Sequence, residues 1–215
     1  DCEVLRTCRH PRKLKRGILA GNRFRILVRQ LAGEQGGLEE RLAAVAGQGV
    51  PNYFGPQRFG RNGQNLGRGK EWLLRGGRLP RHRKGIYLSA IRAFLFNEVL
   101  GARVRQGSWN TIMPGELAAL DGSRSTFRCE PADVGLEQRC REFDIHPSGP
   151  LPGRAGEEPG NTVLALERGE LQPHQALIEA LQRAGVEAGR RSLRVRPLDM
   201  QWQMVGDNLT LAFEL

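Results

Sequence analysis

The amino-acid sequence predicts an α+β protein, with strands near both ends of the chain and mainly helices between them. Apolar and polar residues alternate at 22–30 and again at 200–215, which is typical of half-buried strands. Over 85–104 apolar residues recur at helical spacing and cover most of the circumference, which indicates a buried helix. The 215 residues are enough for one large domain or two smaller ones.

Strands are predicted at 2–8, at 22–30 and as a hairpin at the end of the chain. In the second strand Phe24 shares one face with two aliphatic residues, while arginines lie on the other. In the hairpin, alternating apolar residues over 200–215 flank a turn at 206–208. Both ends of the chain fall inside predicted strands. Because unpaired apolar edges invite association, the sequence indicates a piece of a longer protein.

The remaining elements follow from helical spacing and from the positions of glycine and proline. Helices are predicted at 38–47, 64–75, 85–104, 136–143 and 162–186. Short strands and turns are predicted over 108–130, with a turn at Asp121-Gly122. The segment GGRLPRHRKG (76–85) is predicted to break the chain between two helices. The segment 146–161 holds four prolines and four glycines and is predicted to be a stiff loop.

The chain carries a large excess of positive charge. Lys and Arg total 33 against 23 Asp and Glu, which gives a net charge of +10. This balance favours a polyanionic partner, with nucleic acid first. Three basic clusters occur, at 9–16, 75–84 and 190–196, and they would neutralise several phosphates if they converged on one cleft. The alternative is a protein whose basic clusters are ordinary solvated faces.

Several other kinds of site and location are disfavoured. The sequence has no Cys-x-x-Cys or paired-His spacing, so no metal is expected. No apolar run approaches the roughly 18–20 residues that span a bilayer, and the first ten residues lack the apolar core of a signal peptide. The four cysteines (Cys2, Cys8, Cys129 and Cys140) are predicted to be free thiols in a reducing cytoplasm. We therefore expect a cytoplasmic protein without a membrane partner.

Residues 50–65 (VPNYFGPQRFGRNGQN) form the most informative stretch. Aromatics, glycines and arginines alternate in it, and the glycines and prolines disfavour a helix or a plain strand. The stretch is predicted to be an irregular, rigid loop that holds Arg58 and several amides at fixed angles. Planar donors beside aromatic faces suit phosphate and base contacts in RNA. A glycine-rich turn with buried aromatics and surface arginines explains the composition equally well.

Four segments carry a resemblance to a known family. They are RHPRKLKRGILAGNRF (9–24), NYFGPQRFGRNGQN (52–65), LSAIRAFLFNEVL (88–100) and DIHPSGPLPG (144–153), in this order along the chain. Together they resemble the tRNA pseudouridine synthase D (TruD) family. The resemblance implies isomerisation of uridine 13 of certain tRNAs to pseudouridine, with an aspartate nucleophile and no cofactor.

The resemblance also implies a domain organisation. A catalytic domain of the pseudouridine synthase type, with a mixed sheet and helices, is expected to be interrupted by an inserted α+β domain. Residues 1–48 and 196–215 are expected to belong to the catalytic domain, and 49–195 to the insertion. The tRNA is expected to bind in the cleft between them.

Asn22 and Phe24 are the candidate substrate-binding residues. In the resembled family the asparagine of the Gly-Asn-x-Phe patch lines the uridine pocket, and an amide offers uracil both a donor and an acceptor. Phe24 follows two residues later on the same strand face and could stack on a flipped base. From the residues alone, the favoured interpretation is that Asn22 starts the strand with a local side-chain bond and that Phe24 belongs to the core. The family's Gly-x-Lys-Asp motif is absent, so no catalytic nucleophile is assigned and the chain alone is expected to be inactive.

For RNA contacts, Arg58 is the first candidate, followed by Arg12, Lys13, Arg83 and Lys84. A rival interpretation is a non-enzymatic RNA-binding or ribosome-assembly protein, which the absent nucleophile favours. A second rival is a catalyst that uses only the residues present. It is weaker, because no Ser/His/Asp pattern, metal-ligand pattern or phosphate-binding Gly-x-x-x-x-Gly-Lys-Ser/Thr loop occurs.

Overall fold

A computed structural model describes residues 21–33, 36–130 and 133–215, together with the single positions 4, 7, 9 and 13. Most of the strand predicted at 2–8 lies outside the described residues, as does Arg12. The chain divides into two compact units. One comprises Asp1–Ala46 and Pro197–Leu215, and the other comprises Gly47–Arg196.

Short strands and helices alternate along most of the chain. The strands are β1 (Arg23–Val28), β2 (Val50–Pro51), β3 (Leu117–Leu120), β4 (Thr126–Arg128), β5 (Ile145–His146), β6 (Ser148–Leu151), β7 (Gly189–Ser192), β8 (Arg194–Val195), β9 (Leu198–Val205) and β10 (Asn208–Glu214). The helices are α1 (Leu38–Gln48), α2 (Pro56–Phe59), α3 (Gln64–Arg75), α4 (Arg81–Arg105), α5 (Leu136–Arg141), α6 (Asn161–Leu171) and α7 (Gln175–Arg183). Single 3-10 turns occur at Arg61–Gly63 and Gln172–His174. The mixture of helices and antiparallel sheets confirms the predicted α+β class. Among the described residues, none of the helices combines the length and the apolar character that crossing a membrane requires.

The first unit contains a three-stranded antiparallel sheet in the order β1-β10-β9. The predicted hairpin is confirmed, with β9 and β10 joined by a turn at Gly206-Asp207. The strand predicted at 22–30 is also confirmed as β1, and Phe24 pairs in register with Phe213 of β10. Phe24 and Ile26 remain 38% and 41% exposed. The apolar face of β1 is therefore only partly covered by the described residues of this unit.

The long helix α4 forms the centre of the second unit. Along one side of it Ile91, Leu95 and Val99 are fully buried against residues of α6 and α7. On another side Phe96 packs against Leu193, which follows β7. Each such apolar side chain contributes about 1.5–3 kcal/mol when fully buried. The predicted buried helix is thus confirmed, and it organises this unit.

The start of α4 differs from the prediction. The helix begins at Arg81 rather than at 85, because the Pro80 carbonyl accepts hydrogen bonds from the backbone N–H groups of Arg83 (3.0 Å) and Lys84 (3.1 Å). Proline tolerates the edge of a helix, where its missing N–H is not needed. Arg83 and Lys84 therefore lie in the first turn of a helix and not in a breaker segment.

The loop predicted over 146–161 is partly wrong, because it contains a strand. β6 pairs with β7, and Pro150 lies opposite Arg190 in a two-stranded ribbon, where proline is tolerated. Gly149 fits closely there, since a Cβ at this position would lie 2.8 Å from the Cδ2 atom of Leu193 and would require the packed side chains to shift. The composition of the segment reflects close packing as well as turns.

Two further predictions need correction. The single helix expected over 162–186 is two helices, α6 and α7, separated by a 3-10 turn that contains Pro173. The stretch 50–65, expected to be wholly irregular, contains the short helix α2 with Pro56 in its first turn. Gly60 has φ 78°, which ends this helix and favours glycine over other residues.

Candidate nucleic-acid interface

Asn22 extends the pairing of the first unit's sheet by one residue beyond β1. Its N–H donates to the Leu215 carbonyl (2.7 Å), and its carbonyl accepts from the Leu215 N–H (2.9 Å). Gly21 permits this close approach, because a Cβ there would lie 2.7 Å from the Leu215 oxygen. The backbone of Asn22 is thus held by the sheet, while the residue is exposed to solvent. A fixed backbone with an exposed amide side chain can present both a donor and an acceptor to a ligand.

Phe24 lies two residues along from Asn22, so both side chains project from the same face of the strand. Its ring stacks on Phe213 with the ring centroids 5.4 Å apart and the ring planes 26° apart. Between them, Arg23 points to the other face and its Nε donates to Glu214 (2.7 Å). The contact with Phe213 supports the ring from one side, and the 38% exposure leaves area for a planar ligand.

The segment that follows β2 runs antiparallel along α4. The backbone N–H of Phe54 donates to Oδ1 of Asn97 (3.0 Å), and Nδ2 of Asn97 donates back to the Phe54 carbonyl (3.0 Å). Further along, Nη1 of Arg58 donates to Oγ of Ser89 (3.0 Å). This segment is therefore fixed to the helix at both ends, and Arg58 remains exposed.

For residues 50–65 the sequence left two explanations open, a loop that contacts RNA and a glycine-rich turn with buried aromatics. Each of them accounts for part of the observed structure. The ring of Phe54 is half-buried and packs edge-on against Phe96, with the centroids 5.5 Å apart. Tyr53, in contrast, is 43% exposed. The packed Phe54 fits the explanation by buried aromatics, whereas exposed Arg58 beside an aromatic ring fits the RNA interpretation.

Arg191 also lies at the ring of Phe54, although the sequence did not single it out from the basic cluster at 190–196. Its guanidinium carbon lies 4.2 Å from the centroid of Phe54, and that of Arg58 lies 5.4 Å from the same centroid. Nη2 of Arg191 donates to Oδ1 of Asn52 (2.5 Å). Burial lowers the pKa of Arg191, and the nearby charge of Arg58 lowers it further. Alternation along the basic strand β7 could have shown that Arg191 points away from its neighbours Arg190 and Ser192.

The basic cluster at 190–196 is not one solvated face. Arg190 forms a buried ion pair with Glu167. Arg194 is 4% exposed, and its guanidinium donates to Nδ1 of His146 (2.9 Å) and to the Ile145 carbonyl (3.1 Å). Arg190 and Arg194 therefore hold the unit together and are not part of an exposed basic cluster.

The other predicted RNA contacts lie apart in the sequence. Arg83 and Lys84 are exposed in the first turn of α4, where the partial positive charge of the helix N-terminus adds to theirs. The same helix carries Ser89, the partner of Arg58, about one and a half turns later. Lys13 is exposed, and Arg12 lies outside the described residues.

The cysteines of the second unit are structural. Cys129 and Cys140 are buried free thiols. Burial raises the pKa of Cys129 to about 11 and raises that of Cys140 as well. Because the thiolate is the reactive form, neither is suited to be a nucleophile at neutral pH. Within the part of the chain that the structure describes, no group of three or more His, Cys, Asp or Glu side chains is placed to hold a metal.

The sequence of the chain matches a protein-family model, and it is similar to individual proteins from several bacteria. A family model described as tRNA pseudouridine synthase D (TruD) matches residues 1–77 and 75–215. The tRNA pseudouridine synthase D of Nitrosococcus oceani is 46% identical over 218 residues, which covers 99% of this chain and 60% of that protein. That of Methylococcus capsulatus is 46% identical over 206 residues, covering 95% of this chain and 58% of that protein. The chain therefore spans about 60% of the length of these curated relatives.

A solved structure has the same fold. It is the crystal structure of a putative tRNA pseudouridine synthase D from Methanosarcina mazei, with a TM-score of 0.73 and 18% identity. The match covers 93% of this chain and 66% of that one. At this identity the likeness concerns the fold, and it agrees with the α+β architecture described above.

Proposed function

Because the chain belongs to the tRNA pseudouridine synthase D (TruD) family, we propose that it forms part of an enzyme that converts uridine 13 of certain tRNAs to pseudouridine. The reaction exchanges the carbon–nitrogen glycosidic bond of uridine for a carbon–carbon bond and needs no cofactor. Enzymes that act on a base within folded RNA commonly flip it into a pocket, at a cost of a few kcal/mol. A tRNA substrate makes the cytoplasm the proposed place of action.

The observation that carries the proposal is the exposed pair Asn22 and Phe24 on one sheet face. The pairing with Leu215 holds the Asn22 backbone, and the residue is exposed, so its amide would offer a donor and an acceptor to a uracil edge. Phe24, supported by Phe213, offers a flat apolar surface beside that amide. These two residues would bind and orient the flipped base.

The two compact units correspond to two proposed roles. We assign the unit Asp1–Ala46 with Pro197–Leu215 to the catalytic domain, which carries Asn22 and Phe24. We assign the unit Gly47–Arg196 to the insertion, which would grip the tRNA through exposed basic residues such as Arg58, Arg83 and Lys84. Lys13 and Arg12 would add phosphate contacts from the first unit.

The nucleophile is not assigned to any residue of this chain. None of its aspartates follows a lysine, so the family's Gly-x-Lys-Asp motif is not present. The proposal is therefore that this polypeptide alone binds tRNA and does not isomerise uridine. The same observation favours the second candidate function, a non-enzymatic RNA-binding or ribosome-assembly role.

The test is pseudouridine formation on tRNA transcripts by the complete gene product that contains this sequence. We expect pseudouridine at position 13 with the complete product and none with the 215-residue chain, although both bind tRNA. A transcript with cytidine at position 13 is the substrate control. If the complete product binds tRNA tightly and forms no pseudouridine on any transcript, the non-enzymatic function replaces this one.

A further inference from the structure

Two arginines from distant parts of the chain meet at the ring of Phe54 in the unit Gly47–Arg196. The guanidinium carbon of Arg191 lies 4.2 Å from the ring centroid, and that of Arg58 lies 5.4 Å from it. We propose that Arg58 and Arg191 form a clamp for one backbone phosphate of bound RNA. This inference rests on the proposed tRNA substrate and names where one phosphate of that substrate binds.

The clamp gathers positive charge without a balancing carboxylate. Within the described residues neither Arg58 nor Arg191 forms a salt bridge, whereas Arg23, Arg75, Arg103 and Arg190 each pair with a glutamate. The charge of Arg58 is close enough to lower the pKa of Arg191 further below the value that burial sets. Like charges repel each other, and an anion between the two guanidinium groups would remove this repulsion.

Each guanidinium is held by neutral groups. Ser89 accepts from Nη1 of Arg58, and Asn52 accepts from Nη2 of Arg191. The Nε atom of Arg191 is buried and has no hydrogen-bond partner among the described residues. Because it is buried, this atom is out of reach of a ligand from solution. Nη2 of Arg58 and Nη1 of Arg191 form no hydrogen bond within the described part of the chain and are not buried. The pair is therefore oriented in advance and still has donors to offer.

The chemistry favours a phosphate over a nucleobase as the ligand. The ring of Phe54 is half-buried, with Arg191 over a face and Phe96 in an edge contact at 5.5 Å, so a base cannot stack on the face that Arg191 occupies. Planar guanidinium groups match the oxygens of a phosphate, and two of them bind one phosphate from two sides. Exposed Arg58 would contact the phosphate from the solvent side, and half-buried Arg191 would contact it from the protein side.

The experiment measures binding of a tRNA transcript by this chain as salt is varied. We expect Arg58→Gln and Arg191→Gln each to weaken binding about tenfold near 0.1 M salt and to reduce the slope of log Kd against log salt by about one. The double variant should reduce the slope by no more than either single variant, because the clamp holds its one phosphate only when both guanidinium groups are present. Arg183→Gln is the charge-matched control: Arg183 is exposed on α7, 3.9 Å from its partner Glu179, and should leave the slope unchanged.

A second variant guards against misfolding. Arg191→Lys keeps the charge and loses the planar fork, so it should keep the salt slope while weakening binding. If Arg191→Gln unfolds in thermal melts, the binding data for Arg58→Gln and Arg191→Lys still decide whether the two arginines form a clamp. Unchanged slopes for both glutamine variants, or losses that add fully in the double variant, would overturn the clamp.

The source of the phosphate is tested separately. Transcripts that carry one neutral methylphosphonate linkage at a time should include one position where wild-type binding weakens and Arg58→Gln binding does not. If no position behaves so, and inorganic phosphate alone raises the melting temperature of wild type but not of Arg58→Gln, the site binds a free anion and the RNA proposal is wrong. Pseudouridine formation by the complete product is independent of these outcomes, so the clamp can fail while the proposed enzyme function stands.

Discussion

The guanidinium of Arg103 donates twice to one carboxylate oxygen of Glu116, with Nη1 and Nη2 at 3.0 and 2.9 Å from Oε2. Their side chains are 1% and 0% exposed. Arg103 also donates to the carbonyls of Ser108 and Thr111, so it connects the end of α4 to the segment before β3. Burying two charges is costly, and such a pair is tolerated because each remaining donor also finds a partner.

Replacing Glu116 by alanine should therefore be severely destabilising. Arg103 would stay buried without a counterion, and we expect the free energy of unfolding to fall by about 3–5 kcal/mol. Urea denaturation followed by circular dichroism measures this quantity. The control is Glu71→Ala, which breaks the exposed pair with Arg75 on α3 and should cost less than about 1 kcal/mol. Equal losses in the two variants would show that burial of the Arg103 pair has no special role.

A buried histidine makes the stability of the second unit depend on pH. Nδ1 of His146 accepts a hydrogen bond from Nε of Arg194 (2.9 Å), and Nε2 lies 2.8 Å from Oδ1 of Asp121. Because arginine can only donate, Nδ1 must be unprotonated and the ring is neutral. Burial lowers the pKa of His146, and the hydrogen bond to Asp121 only partly opposes this.

The sign of the pH dependence follows from this lowered pKa. Below about pH 6.5 the unfolded chain takes up a proton at this histidine while the folded chain does not, so stability should fall as the pH falls. The slope from this one group should not exceed about 1.4 kcal/mol per pH unit. Urea denaturation between about pH 5 and 8 should show a shallower dependence for His146→Gln than for wild type. His82→Gln, at an exposed position in α4, is the control and should change the dependence less than His146→Gln does. An identical profile for His146→Gln and wild type would contradict the prediction.

Local pattern was sufficient for the elements that carry their own signal. The stripe of Ile91, Leu95 and Val99 predicted α4, and alternation predicted β9 and β10. The strand β6 was missed because its glycine and proline suggest a turn, and only pairing with β7, about forty residues later, makes it a strand. A local pattern holds no information about a partner at that distance.

The residues of the candidate site also fall into those that the sequence could indicate and those that depend on distant contacts. The resemblance directed attention to Asn22 and Phe24, and local composition directed it to Arg58. Arg191 was not found as an individual residue, because its contact with Phe54 joins positions 137 residues apart. Of its cluster, Arg190 and Arg194 are buried with Glu167 and His146, which charge counting alone does not reveal.

The first turn of α4 should show a conflict between stability and binding. Arg81, Arg83 and Lys84 lie there, and the turn contains no acidic residue, although the helix N-terminus favours negative charge. We expect Lys84→Glu to raise the free energy of unfolding by about 0.3–1 kcal/mol and to weaken tRNA binding. Arg105→Glu makes the same charge change in the last turn of the helix and should lower stability instead. Urea denaturation and tRNA titrations at two salt concentrations test both effects. If Lys84→Glu binds tRNA like wild type, Lys84 is not part of the interface.

The proposed uridine pocket predicts a loss of rate without a loss of binding when the Asn22 amide is removed. Its backbone hydrogen bonds to Leu215 do not involve the side chain, so Asn22→Ala should leave the sheet intact. In the complete gene product we expect the single-turnover rate of pseudouridine formation to fall about 100-fold, as when a group that orients a substrate is lost. The Kd for tRNA should change less than about threefold, since phosphate contacts supply most of the affinity. Gln203→Ala removes another exposed amide from the same sheet and should leave both quantities unchanged. If Asn22→Ala instead abolishes tRNA binding while each bound tRNA is modified at the normal rate, Asn22 contacts the RNA away from the reacting uridine and the pocket lies elsewhere.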